Sequence, residues 1–112
     1  MPNLKHITEH WFSKTDPIDI NSGECFVWAW KAKLHYKNAI LCTIGHCGGH
    51  AFIKLDKLYF DAEYPKGVKD WRRMIAFRGK QPRENWLEEM SNYQFKKYWS
   101  RHGAGSFSRK KD

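Results

Sequence analysis

The 112-residue sequence predicts an α+β domain in which a small antiparallel sheet packs with helices. Three observations lead there. Apolar residues recur at helical spacing near both ends of the chain, short strand-like runs occupy its middle, and two of those runs meet at a tight turn. A hydrophobic fraction of 41% with 16% aromatic residues is enough for one packed core at this length. Residues 1–102 are therefore expected to form a single compact domain, and residues 103–112, GAGSFSRKKD, a flexible basic tail.

In chain order, Leu4, Ile7, Trp11 and Phe12 mark an amphipathic helix over 3–14, with Asn3 as its cap. TDPIDINSGE, rich in Asp, Asn, Ser, Pro and Gly, reads as a loop. A second helix covers 25–36, with Val27, Ala29, Trp30 and Leu34 as its apolar stripe and Ser22 or Asn21 as its cap. AILCTI is a strand and GHCGG a tight connection. HAFIKLDKLYFDAE is a hairpin turning at Asp56-Lys57. GVKDWRRMIAF reads as a helix, and a longer one runs from Arg83 to about Arg101. The order is α, α, β, β, β, α, α.

Cys25 falls in the first turn of the second helix. There the helix dipole favours a thiolate, and an adjacent imidazole would favour it further. The hairpin supplies that imidazole. A two-residue turn at Asp56-Lys57 pairs positions whose numbers sum to 113, which sets His50 opposite Glu63 and Phe52 opposite Asp61. Because side chains alternate along a strand, His50, Phe52, Asp61 and Glu63 share one face, and Ala51, Ile53, Phe60 and Ala62 the other. On register alone either acid can orient the imidazole, Glu63 directly across and Asp61 on the diagonal.

With those residues in place, SGECFVWAW followed by GHAFIKLDKLYFDAE resembles the core of papain-like and transglutaminase-like cysteine hydrolases. In that superfamily the cysteine opens a helix, and the histidine and aspartate come from successive strands. The resemblance implies a compact papain-like (transglutaminase-like) core with Cys25 as nucleophile, His50 as base and Asp61 as orienting acid. Asn21, Ser22 and the Cys25 amide are the candidate oxyanion donors. The implied activity is thiol-dependent hydrolysis or acyl transfer at an amide or isopeptide bond of a peptide, protein or cell-wall substrate, covering peptidase, amidase and deamidase outcomes alike.

Two other readings compete. Cys42, His46, Cys47 and His50 lie within nine positions and are all zinc-ligand types, so a metal site is an alternative. The charge is also lopsided. Seven lysines and seven carboxylates cancel over 1–65, and residues 66–112 carry the whole net +8, interleaved with Trp71, Trp86, Tyr93, Phe95, Tyr98 and Trp99. That pattern fits a non-catalytic basic module for nucleic acid or another anionic partner. It equally fits two amphipathic helices with Trp86, Leu87, Met90 and Tyr93 to Phe95 turned inward. No determinant for a nucleotide or organic cofactor is present, and no cofactor is expected. An odd count of three cysteines argues against a disulfide framework. With no signal peptide and no membrane-spanning run, no membrane insertion is expected, and the expected location is cytoplasmic.

Overall fold

The computed structural model describes residues 2–12, 16–44, 49–79 and 81–102, with Ser22, Gly23 and His102 described by backbone alone. Among the described residues are four α-helices, α1 (Lys5–Trp11), α2 (Pro17–Gly23), α3 (Cys25–His35) and α4 (Asn92–His102). Four strands, β1 (Ile40–Ile44), β2 (His50–Leu55), β3 (Leu58–Phe60) and β4 (Leu87–Met90), form one antiparallel sheet in the order β3-β2-β1-β4. The α+β class is as predicted. None of the helices over the described residues is long and apolar enough to cross a membrane.

The hairpin follows the predicted register. Leu55 pairs with Leu58, Lys54 with Tyr59 and Ile53 with Phe60. Asp56 and Lys57 both take positive φ, 54° and 68°, the conformation of a two-residue turn whose twist matches the flanking strands. Ala51, Ile53 and Phe60 face a core built with Leu4, Phe26, Trp28 and Phe95 of the helical layer. Phe52 faces the other way, into a second core with Cys42, Ile44, Trp71, Met74 and Phe77. β2 is therefore buried on both faces, as a central strand must be when each face carries its own layer.

Several elements differ from the sequence expectation, each for a local physical reason. Where 15–24 reads as a loop, Pro17–Gly23 is helical. Asp16 accepts a hydrogen bond from the Ile18 amide at 2.9 Å, and Pro17 occupies the first turn. Asp-Pro is itself a helix-start signal. Asn21 and Ser22 consequently lie inside α2 and do not cap α3. That helix begins at a joint made by Glu24, whose N–H closes α2 on Ile20 O at 2.7 Å while its carbonyl accepts from Trp28 N at 3.0 Å. On α3 the buried side chains are Cys25, Phe26, Trp28, Ala29 and Ala32, and Leu34, predicted in the stripe, is exposed. Trp11 is also exposed on α1, where the Lys31 ammonium lies 4.1 Å from its ring centre.

GVKDWRRMIAF is not one helix. Trp71–Arg73 and Ile75–Phe77 are single 3₁₀ turns, in which residues three apart eclipse one another. Trp71, Met74 and Phe77 recur at that period, and all three are buried against Phe52's face of the sheet. The long helix predicted from Arg83 is also divided. A 3₁₀ turn (Glu84–Trp86) leads into β4, which satisfies the outer edge of β1 through pairs from Ile44↔Leu87 to Leu41↔Met90. α4 starts only after Ser91, where a reciprocal capping box joins Ser91 Oγ to Gln94 N at 3.1 Å and Gln94 Oε1 to Ser91 N at 3.0 Å. Tyr93 points outward, whereas Phe95 and Trp99 pack inward on Phe26.

Lys57 in the left-handed region is strained, because its Cβ crowds the carbonyl in a way glycine avoids. Lys57→Gly should raise the free energy of unfolding by about 1 kcal/mol in a urea titration without altering the denaturant slope. An unchanged or lower midpoint would contradict this account of the turn.

Candidate active site

Three side chains of different elements meet where the two cores join. Cys25 is the first residue of α3, His50 the first of β2, and Asp61 directly follows β3. They are 9%, 6% and 1% exposed, so the cluster is nearly dry. His50 Nε2 lies 2.9 Å from Asp61 Oδ2. An ionised carboxylate can only accept, so this contact places the Nε2 proton on the histidine and leaves Nδ1 as the other working nitrogen. The Cys25 side chain is the other polar group that acts on the imidazole, raising its proton affinity together with Asp61. Phe52 stacks on the ring at 5.6 Å between centres, and Phe77 meets it edge-on at 5.5 Å.

Asp61 is held by its own turn. β3 stops at Phe60, and the chain folds back so that Asp61 Oδ1 accepts the amides of Glu63 at 2.9 Å and Tyr64 at 3.1 Å. One carboxylate oxygen fixes the turn and the other faces His50. The return segment closes on β3 through the Tyr59↔Val68 bridge. Gly67 permits that closure. Its φ is +89°, and a Cβ there would stand 2.9 Å from the Phe60 ring.

The end of β3 also decides between the two acids. The predicted pairing of His50 with Glu63 does not form, because the ladder ends at Ile53↔Phe60. Glu63 Oε1 instead accepts Asn21 Nδ2 at 2.7 Å, which ties α2 to the turn that carries Asp61. Asn21, read as an oxyanion donor, thus has one of its two N–H bonds engaged by Glu63. The Ser22 side chain lies outside what is described.

Burial alone would push the His50 imidazolium toward losing its proton. The bond to Asp61 and the neighbouring Cys25 act against it and prevail, so the group is raised from 6.5 to about 9. Cys42 behaves in the opposite way. It is wholly buried in β1, its Sγ directed at Ile40 O at 3.6 Å, and burial, with the Glu89 charge, pushes its thiol up to about 12. That is an inert packed thiol. Of the four alternative zinc ligands, His46 and Cys47 lie outside the described residues. Among the described residues, no group of three or more His, Cys, Asp and Glu side chains is arranged to hold a metal ion.

Phe77, which forms one wall around His50, has no sequence signal as a site residue. The 3₁₀ period that aims it inward shows only once the segment is seen not to be a helix. In the basic half, two exposed lysines lie over aromatic rings. Lys96 lies 4.7 Å from the Trp30 ring centre and Lys97 5.8 Å from that of Tyr93. Comparisons with protein-family models, curated proteins and solved structures return no match for this chain.

The His50 pKa carries a stability consequence. The folded value of about 9 exceeds the ordinary 6.5, so the stabilisation is complete below 6.5 and is lost as pH rises through 9. A difference of that size corresponds to about 3 kcal/mol. Chemical denaturation across this range should show wild type losing about that much more than Asp61→Asn, in which burial acts without the carboxylate. Parallel pH profiles for the two proteins would refute the assignment.

Proposed function

We propose that the protein is a thiol-dependent hydrolase or acyltransferase acting on an amide or isopeptide bond, with a pared-down papain-like or transglutaminase-like core. The observation that carries this reading is a buried imidazole bonded to Asp61 at 2.9 Å, with the Cys25 side chain as the other group that raises its proton affinity. The chain order supports it as well, with the cysteine at a helix start, the histidine at a strand start and the acid after the next strand.

In this reading the Cys25 proton already resides on His50 in the resting site, as a thiolate–imidazolium pair, and Asp61 stabilises the imidazolium. The thiolate attacks the carbonyl carbon, and the oxyanion forms near the first-turn amides of α3, which have no acceptor inside the helix. His50 then returns its proton to the nitrogen as the C–N bond breaks, leaving an acyl group on Sγ. Attack by water through the same base gives an acid, and attack by an amine gives a transferred amide. The substrate is an amide of a peptide, protein or cell-wall polymer.

Alkylation with iodoacetamide as a function of pH, with the modified residue mapped by mass spectrometry, tests this directly. Cys25 should be labelled selectively in the folded protein, and His50→Ala should abolish that selectivity. Cys42 should stay unmodified in the folded protein. If Cys25 reacts only on denaturation, the catalytic reading falls and the basic binding module takes its place.

A further inference from the structure

A groove of about 590 Å³ runs between α1, α2 and the return turn after Asp61. Its apolar lining is Phe12, Pro17, Ile18, Ala62, Pro65 and Ile75. Ile18 is 61% exposed and Ile75 43%, both unusual for isoleucine and both on this one groove. The volume is that of a small-ligand site, with room for one or two side chains.

Its position ties it to the cluster at Cys25. Ala62 and Glu63 line the groove and directly follow Asp61 in the turn whose amides hold that carboxylate. Glu63 also receives the Asn21 amide, from the helix that precedes Cys25. A ligand in the groove would therefore press on the element that orients His50.

The described residues that line the groove include three carboxylates and one lysine, the reverse of the chain's own balance. Among the described lining residues Lys5 and Glu9 pair with each other at 3.8 Å, and Asp16 and Glu63 add two further carboxylates, on a protein of net charge +8. Apolar walls with carboxylates suit a large aliphatic side chain next to a cation. We propose that this groove binds a peptide segment with a large apolar residue adjacent to lysine or arginine, as the substrate-recognition subsite of the Cys25 centre. The assignment to Cys25 rests on the hydrolase reading, whereas occupancy of the groove does not.

Two measurements separate these claims. In Cys25→Ala protein, methyl NMR of Ile18 and Ile75 should shift on titration with acetyl-leucyl-arginyl amide, with affinity at least roughly tenfold above that for acetyl-leucyl-glutamyl amide. Ile18→Lys should abolish the shifts. No shift, or equal shifts from the two peptides, overturns the groove assignment whatever the reactivity of Cys25. In the intact protein, a leucyl-arginyl chloromethyl ketone should alkylate Cys25 at least about tenfold faster than its leucyl-glutamyl counterpart. Ile18→Lys should remove that preference. Equal chloromethyl ketone rates alongside normal iodoacetamide labelling would sever the groove from Cys25, and failed iodoacetamide labelling would sink the hydrolase reading alone.

Discussion

The hydrogen bond between His50 and Asp61, 2.9 Å long and sealed from water, is the constraint on which the arrangement around Cys25 depends. Taking a carboxylate and an imidazole out of water is costly, and it is tolerable only when the remaining polar atoms are also satisfied. The turn does this. Two amides occupy the other Asp61 oxygen, and the Cys25 side chain is the other polar group that acts on the imidazole. Loss of one member would strand the others in an apolar pocket between Phe52 and Phe77.

Each member is held by a different part of the fold. The hairpin turn sets the register that brings the start of β2 and the end of β3 together, and Gly67 lets the return segment lie flat on Phe60. α3 is anchored to α1 by Trp28 Nε1, which donates to Thr8 Oγ1 at 2.9 Å. At its other end, Lys33 Nζ donates to the carbonyls of Lys37 and Ala39, closing the turn into β1. The Asn21–Glu63 bond then spans from the helix before Cys25 to the turn after Asp61. Because that turn also lines the groove, substrate recognition and orientation of His50 would share one short stretch of chain.

What could be read from the sequence was local. Alternation and turn chemistry are properties of neighbouring residues, so the pairing of Leu55 with Leu58 and the opposed faces of Phe52 and Ile53 followed from HAFIKLDKLYFDAE. Where β3 ends is not such a property. The choice of Asp61 over Glu63 needed the Asp61 turn, closed by amides two and three residues on, and the Tyr59↔Val68 bridge, which depends on a residue nine positions further along the chain. β4 was hidden for a related reason. LEEM has no strand pattern of its own, and the unpaired edge of β1 recruits it. Two boundaries were nevertheless written in the chain, Asp16-Pro17 at the start of α2 and Ser91 with Gln94 at the start of α4.

The central claim is that His50 is held as an imidazolium by partners strong enough to outweigh its burial. Side-chain ¹⁵N and ¹H NMR of selectively labelled histidine, with His50 assigned by substitution, reads that charge directly. Both ring nitrogens of His50 should be protonated at neutral pH and should lose a proton only as pH approaches about 9. A neutral His50 ring at neutral pH, titrating at or below the ordinary value of about 6.5, would contradict the account.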